Sequence, residues 1–444
     1  GWAQSGNDTS AHNLFSILSN TGDWGSASQL AVSSALKNDN IEAELNTSTE
    51  FGFDLSLFRN RLNMDFTYYE SNNENQIFQK SLPVSSGAST KLFNAGNLNS
   101  KGFEASLGGK LIQGNDLNWN MNLTFTTNKT IITELAPGTD YVRFWSQAKG
   151  GAYTWVGEEV GQIVDRAFVR VEDPNSPYFG WPLLDDEGWE NSDSTLSDED
   201  GNRVAPVIGN YNPDFNIGLQ TSLQYKNWNL SMNFDWRKGG QFVSQTMRYY
   251  ESDLQTTRWL NKVYNLSDVG DIPTYIRDNA DVFLSPDGDF YPLVGGPTAE
   301  DGGFPVDGLN DGVFLPGVIG TYDDQGNFIL EQENIGGPGT QYHTYGDNYA
   351  WDFTRASTFD ADFVKLRQIS IGYTFDNKIA QKIGMRNLSL SLFSRNIILW
   401  TKAGINIDPE SAFQNSQGNL SQGVERYNIQ PWAIPVGLIL NASF

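Results

Sequence analysis

Over long stretches of this chain, apolar and polar residues alternate one for one. Leu117, Trp119, Met121, Leu123 and Phe125 are interleaved with Asn118, Asn120, Asn122, Thr124 and Thr126. Trp228, Leu230, Met232, Phe234 and Trp236 are interleaved in the same way with Asn229, Ser231, Asn233 and Asp235. Residues 51–58, 61–70, 101–111, 215–225, 368–375 and 432–444 repeat the pattern. Successive side chains of a strand point to opposite faces, so each run has one apolar and one neutral-polar face. An amphipathic helix would space its apolar residues by three and four instead. The pattern predicts an all-β chain with about ten to thirteen strands, depending on how the loop regions are read.

Strand length sharpens this picture. Many runs cover about nine to thirteen residues, where strands of soluble proteins average ~5–6 and a tilted membrane-spanning strand needs ~9–11. Trp228 and Trp236 share a face eight residues apart, or ~26 Å at ~3.3 Å per residue. After tilt, this places two aromatics near the edges of a ~25 Å apolar band. Trp432 and Phe444 bracket the last run similarly, so these four residues are the expected membrane girdle. The polar faces carry Asn, Ser, Thr, Gln and Gly, which suits a hydrated lumen, whereas a soluble sandwich exposes more Lys and Glu. The expected fold is an antiparallel transmembrane β-barrel.

The connections differ in length. Arg59-Asn60 and Lys226-Asn227 are tight turns, whereas residues near 174–212 and 251–357 form long loops rich in Gly, Pro, Asp and aromatics. Outer-membrane barrels have short periplasmic turns and long extracellular loops. Asn60 and Asn227 are therefore expected on the periplasmic side. Residues 1–49 are expected to be an extracellular loop segment, and 50–444 to carry the barrel strands.

Composition adds exclusions. Twenty-nine Lys and Arg face 53 Asp and Glu, a formal charge of −24, which argues against nucleic acid as a partner. Only 18% of residues are charged, below the ~25% usual for soluble domains. There is no cysteine, so disulfides and thiolate metal sites are excluded. Mean hydropathy is −0.43, and no apolar run reaches the ~18 residues of a spanning helix. A barrel gives the same reading, because alternate residues alone face lipid. The opening residues lack the basic start and apolar stretch of a signal peptide.

Several segments in order resemble the SusC/RagA-type TonB-dependent outer-membrane transporters of Bacteroidetes. They are residues 41–70, "NAGNLNSKGFEASLGGKLI" at 94–112, "IGNYNPDFNIGLQTSLQYKNWNLSMNFDWRKGG" at 208–240, "FDADFVKLRQISIGYTF" at 359–375, "RNIILWTK" with "INIDPES" at 395–411, and the closing "PWAIPVGLILNASF". The resemblance covers almost the whole chain. It implies the C-terminal portion of a barrel of about 22 strands with a plugged lumen. It further implies that the plug, the TonB-engaging segment, the early strands and the signal peptide precede this region. A SusD-like lid lipoprotein would close the extracellular mouth, and the cargo would be oligosaccharides or peptides. On this reading the strand ending at Phe444 must pair with another chain or with an N-terminal segment, since lipid leaves no open edge satisfied.

Candidate chemistry is sparse. His12 and His343 lie in loop-like sequence, and nothing sets either beside a serine and a carboxylate, so a hydrolase is poorly supported. Asp198 and Asp200, in an acidic stretch, are weak candidates for Ca²⁺, but the spacing misses the twelve-residue EF-hand pattern and also fits a turn. No other cofactor is expected. The aromatics of the long loops, Trp259, Tyr264, Tyr275, Tyr291, Tyr342, Tyr345, Tyr349 and Trp351, are the candidates for contact with cargo or lid, against simple packing of the loops on one another. The expectation is a non-enzymatic importer. The competing readings are an outer-membrane barrel enzyme and a secreted β-rich adhesin or carbohydrate-binding protein.

Overall fold

The computed structural model describes residues 1–9, 14, 18–32, 35–38, 40–81, 85, 87–147, 150–193, 195–253, 263–266, 268–284, 293–295, 313–343, 351, 353–413, 422–427 and 431–444. Ten strands follow one another in a single antiparallel sheet: β1 (Trp2–Asn7), β2 (Glu44–Leu57), β3 (Leu62–Ser81), β4 (Thr90–Gln113), β5 (Leu117–Leu135), β6 (Phe215–Tyr225), β7 (Trp228–Lys238), β8 (Phe363–Thr374), β9 (Asn387–Thr401) and β10 (Val436–Ser443). A short eleventh strand, Ala35–Leu36, lies parallel to the start of β4. Each strand pairs with its neighbours in sequence, as an up-and-down meander requires.

The register turns the alternation into two continuous surfaces. Phe53, Phe66, Ala105, Phe125, Ile217, Trp236, Val364 and Trp400 stand opposite one another from β2 to β9. Three residues along on most strands, a row of the other face reads Ser56, Asn63, Gly108, Asn122, Gln220, Asn233, Gln368 and Arg395. The apolar rows are exposed: Phe51, Leu438 and Leu440 show about two thirds or more of their surface. No helix is long and apolar enough to cross a membrane. The strands have the length for it.

On the apolar face, rings of neighbouring strands touch in a line. Centroid distances run 5.2 Å for Phe53–Phe66, 4.4 Å for Phe66–Phe103, 5.8 Å for Phe103–Phe125, 5.6 Å for Phe125–Phe215 and 5.3 Å for Phe215–Trp236. Cross-strand aromatic pairs of this kind each stabilise by roughly 0.5–1.5 kcal/mol beyond burial. On the other face Tyr69 lays its ring over its cross-strand neighbour Gly102, where a Cβ would lie 2.2 Å from the ring. The glycine is required there by the aromatic, and the pair pins the register of β3 against β4.

At one end the strands are joined tightly. Phe58, Arg59 and Asn60 all take positive φ between β2 and β3, and Lys226 does so between β6 and β7. At the other end lie the long connections, and here the sequence reading needs correcting. The opening residues are not simply loop: Trp2–Asn7 pairs with β2 in the main sheet, and 18–24 pairs with 27–32 as a hairpin. The alternation there is carried by small and polar residues, so it was too weak to read as strand. The loops expected at 174–212 and 251–357 are parts of larger insertions, 136–214 and 239–362, whose described residues carry further strands and helices. The first holds a four-stranded sheet of 141–147, 150–155, 162–164 and 207–210. Among its described residues the second builds its own core from Leu266, Ile272, Ile276, Phe283, Leu284, Val294, Phe314 and Ile335 and contains three short α-helices, which the all-β expectation omitted.

Candidate functional site at the loop end of the sheet

Three features converge where the insertions meet the sheet. The first is a charged cluster on the polar face. Between Asn233 and Phe234 of β7 the partner strand β8 carries an extra residue, Arg367. Arg367 shares the face of Lys365 by ordinary alternation, and the bulge keeps the next residue, Gln368, on that polar face as well, opposite Asn233. Lys365 is fully buried, and its Nζ donates to Asp408 at 2.6 Å and to Glu410 at 2.7 Å. Arg367 donates to Glu410 and to Asp235 of β7. Asp408 and Glu410 belong to the 3₁₀ turn around Pro409–Phe413, so two cations of the wall clamp a loop element against it. Burial alone would raise the Glu410 carboxyl, but hydrogen bonds and charge from Arg367 and Lys365 outweigh it and hold the pKa down at about 2. Beside this, the Arg237 guanidinium covers the Phe413 ring at 3.8 Å and donates to the carbonyl of Tyr211 at 2.6 Å.

The depressed Glu410 makes a pH prediction. The carboxylate is protonated in unfolded chain near its ordinary value of 4.5 and in the fold near 2. Its stabilising contribution is therefore complete above pH 4.5 and disappears as pH falls through about 2. Unfolding monitored by tryptophan fluorescence between pH 5 and 2 should show this loss. In Glu410→Gln the dependence should flatten; an unchanged slope would show that Glu410 is not the group titrating.

The second feature is an aromatic surface. The segment Gln241–Ser244 leads into helix α1 (Gln245–Ser252), whose N-cap Ser244 accepts from Met247 N. The buried Glu425 carboxylate accepts from the Ser244 hydroxyl at 2.6 Å and the Thr246 hydroxyl at 2.7 Å, as an anion at a helix N-terminus should. So anchored, α1 presents Arg248 and Tyr249. Arg248 lies over the Trp351 ring at 4.0 Å and donates to its carbonyl at 2.9 Å. Tyr249 meets Trp351 at 5.2 Å and Tyr427 at 5.3 Å, both edge to face. Trp351 is 39% and Tyr427 64% exposed, so these rings face solvent.

The third is a cleft of about 220 Å³ between upper β4–β5 and the insertions, lined among others by Asn97, Leu98, Ile132, Glu134, Phe144, Tyr211 and Asn212. Its walls mix apolar surface with amide and carboxylate groups. Burial raises the Tyr211 hydroxyl well above its ordinary value, so it is a neutral donor at any physiological pH.

Of the loop aromatics singled out from sequence, Trp351 joins this surface. Tyr342 packs against Phe314 in the insertion's own core, whereas Tyr264 and Tyr275 touch Phe283 of that core but remain 48% and 40% exposed. Trp259, Tyr291, Tyr345 and Tyr349 lie outside the described residues, as does His12. His343 is half-buried and stacked on Trp189 at 3.9 Å, and burial holds its imidazole below the usual range. Asp198 accepts from the backbone of Asp200 and Asn202, so the acidic stretch forms a turn; Asp323 does the same with Gln325 and Asn327. Among the described residues no three His, Asp or Glu are gathered as a metal site. Trp228 and Trp236 share the exposed apolar face, with Trp228 against Tyr373 at 4.9 Å. Trp432 donates to the Asn396 carbonyl and Phe444 is 77% exposed. Tyr249, Tyr427, Glu425 and the Lys365–Arg367 cluster were missed. For the last, a signal existed: two cations interrupt a run whose lumenal positions are otherwise neutral.

Comparison with known proteins places this architecture. Residues 3–179 match the family model described as TonB dependent receptor-like, beta-barrel. TonB-dependent receptor P3 of Formosa agariphila is 29% identical over 221 residues, covering 47% of this chain and 22% of the receptor. TonB-dependent receptor P26 of the same organism is 23% identical over 422 residues, covering 92% of this chain and 35% of the receptor. The chain thus spans about a third or less of these relatives. The solved RagAB peptide transporter superposes over 92% of this chain and 37% of its own, with a TM-score of 0.55 at 15% identity. Its "open-open" state covers 100% and 39%, with a TM-score of 0.55 at 16% identity. At such identity the likeness is one of fold.

Proposed function

We propose that this chain is part of a TonB-dependent receptor β-barrel of the outer membrane, the family whose model residues 3–179 match, and that it forms the wall and extracellular mouth of a nutrient importer for oligosaccharides or peptides. The supporting observation is the two-faced register: one face is a continuous exposed apolar surface crossed by touching rings, the other is neutral-polar. Trp228, Trp236, Trp432 and Phe444 serve as girdle residues at the interfaces. β1 and β10 end the sheet, and among the described residues no ladder joins them. Their free edges close against further strands, because lipid offers the backbone no hydrogen bonds. In this reading a SusD-like lipoprotein covers the loop end and TonB acts through a plug domain. The role is binding and passage, not catalysis.

The Tyr249–Trp351–Tyr427 surface is the cargo or lid contact, since exposed rings stack on sugar faces and peptide planes alike. Trp351→Ala combined with Tyr249→Ala should weaken cargo binding by the full receptor about tenfold, the weight of one to two lost ring contacts. Calorimetry on the detergent-extracted complex, with a glycan ladder and a peptide pool as titrants, reads this. Unchanged affinity for every cargo and unchanged co-purification of a lid lipoprotein would reject the assignment.

A further inference from the structure

The cleft beside Tyr211 has two firmly joined sides and one polar group that the fold leaves without a partner. Its wall side belongs to the neutral-polar face, since Asn128, Thr130 and Ile132 alternate in step with Asn122 along β5. Its other side comes from the first insertion, through Val142, Phe144, Val160 and Tyr211. Backbone bonds from Val160 N to the Thr130 carbonyl at 2.9 Å and from Gly157 N to the Ile132 carbonyl at 2.7 Å tie the two sides together. Tyr211 is 4% exposed, and two glycines of positive φ make room for it. A Cβ on Gly161 would lie 2.7 Å from the Tyr211 ring, and one on Gly423 would lie 2.5 Å from the Tyr211 Cβ. The hydroxyl of this enclosed ring makes no hydrogen bond among the described residues. A buried phenol ordinarily has a partner.

We infer that the cleft receives one aromatic side chain carrying an N–H or O–H, tryptophan or tyrosine, from a peptide cargo. The inference rests on the importer reading and narrows its cargo to peptide. Size is the first argument. The cleft holds about 220 Å³, whereas an apolar cavity of ~150 Å³ already holds a bare benzene ring. A ring with a further polar group is the fitting body. Surface is the second argument, since Leu98, Ile132, Val142 and Phe144 offer apolar contact from both sides. A sugar would turn several hydroxyls against that surface without partners. Polarity is the third. The N–H or O–H of the occupant meets the Tyr211 hydroxyl, which can accept it. Glu134, the charged residue of the lining, has one oxygen held by the Asn97 amide at 2.7 Å, and it repels a phosphate or an acidic side chain. Position agrees with the role. The cleft begins at Asn128, ~10 Å along β5 from the aromatic row at Phe125, on the side of the loop end where cargo would enter.

The test uses the full receptor folded in detergent and short Gly-Ser peptides with one central tryptophan, tyrosine, phenylalanine or glycine, titrated by calorimetry. The tryptophan and tyrosine peptides should bind at least about tenfold more tightly than the glycine peptide, the weight of burying one ring. They should bind about fivefold more tightly than the phenylalanine peptide, the weight of one hydrogen bond. Tyr211→Phe keeps the ring and removes the hydroxyl. It should close the gap to phenylalanine while leaving the gap between phenylalanine and glycine. Leu98→Trp fills the cleft with a ring of the receptor itself and should erase every preference. Equal affinity for the tryptophan and glycine peptides, a tyrosine-over-phenylalanine preference surviving in Tyr211→Phe, or preferences unchanged in Leu98→Trp would overturn the site. Binding of a glycan ladder without binding of any peptide would overturn the site and leave the importer reading standing. A receptor that binds neither class would overturn both.

Discussion

Lys365→Ala is expected to destabilise the folded receptor by about 3–5 kcal/mol, the loss seen when one partner of a buried ion pair is removed. Lys365 is fully buried and bonded to both Asp408 and Glu410. Without it two carboxylates face each other, and Arg367, already engaged with Asp235, is left as their remaining cation. The 3₁₀ turn at Pro409–Phe413 should detach from the wall, taking Phe413 from beneath Arg237. Thermal unfolding in detergent measures the first effect, and protease sensitivity near residue 410 the second. Lys365→Ala with Asp408→Leu should recover part of the loss, because removing a charge together with its partner leaves less unpaired. A single variant within 1 kcal/mol of the parent would mean that solvent screens the cluster.

The second large effect separates the two faces within one strand. Met232 and Asn233 are adjacent on β7 but point oppositely, Met232 beside Thr221 and Ile369, Asn233 beside Gln220 and Gln368. Met232 is midway between Trp228 and Trp236, near the expected bilayer midplane. Met232→Arg should cost about 2–4 kcal/mol of folding free energy in bilayers, as for cations at the lipid midplane of a barrel. Asn233→Arg, facing water, should stay within ~0.5 kcal/mol. Folding yield into lipid vesicles reads both. If the two variants behave alike, the apolar face does not meet lipid, and a soluble sandwich becomes the better description.

How much of this was legible beforehand follows from the range of each interaction. The strands were legible because alternation is a local property: Trp228 to Trp236 declares a two-faced strand with no knowledge of its neighbours. So were the tight turns, since the residues taking positive φ at Asn60 and Lys226 fall between runs that can only fold back. The pairing of β2 with β3 and of β6 with β7 followed too, as a tight turn leaves an antiparallel partner as the sole option. The insertions were not legible. Their strands are two to seven residues long and pair across distant segments, as when Leu183–Leu184 joins Val318–Ile319, so no local pattern marks them.

The same limit governs the sites. Eight loop aromatics were equivalent in sequence, and the fold alone sorts Trp351, held against Arg248 and Tyr249, from Tyr342, which packs on a core, and from Tyr264 and Tyr275, which rest on Phe283 with much of their surface exposed. Sequence by itself determined a two-faced membrane sheet with its loops gathered at one end, because hydrophobic alternation and turn length are written residue by residue. Tertiary structure decided which charges meet. Lys365 and Glu410 lie 45 residues apart, and the folded chain alone brings in Asp235, 132 residues before Arg367, as that cation's second partner.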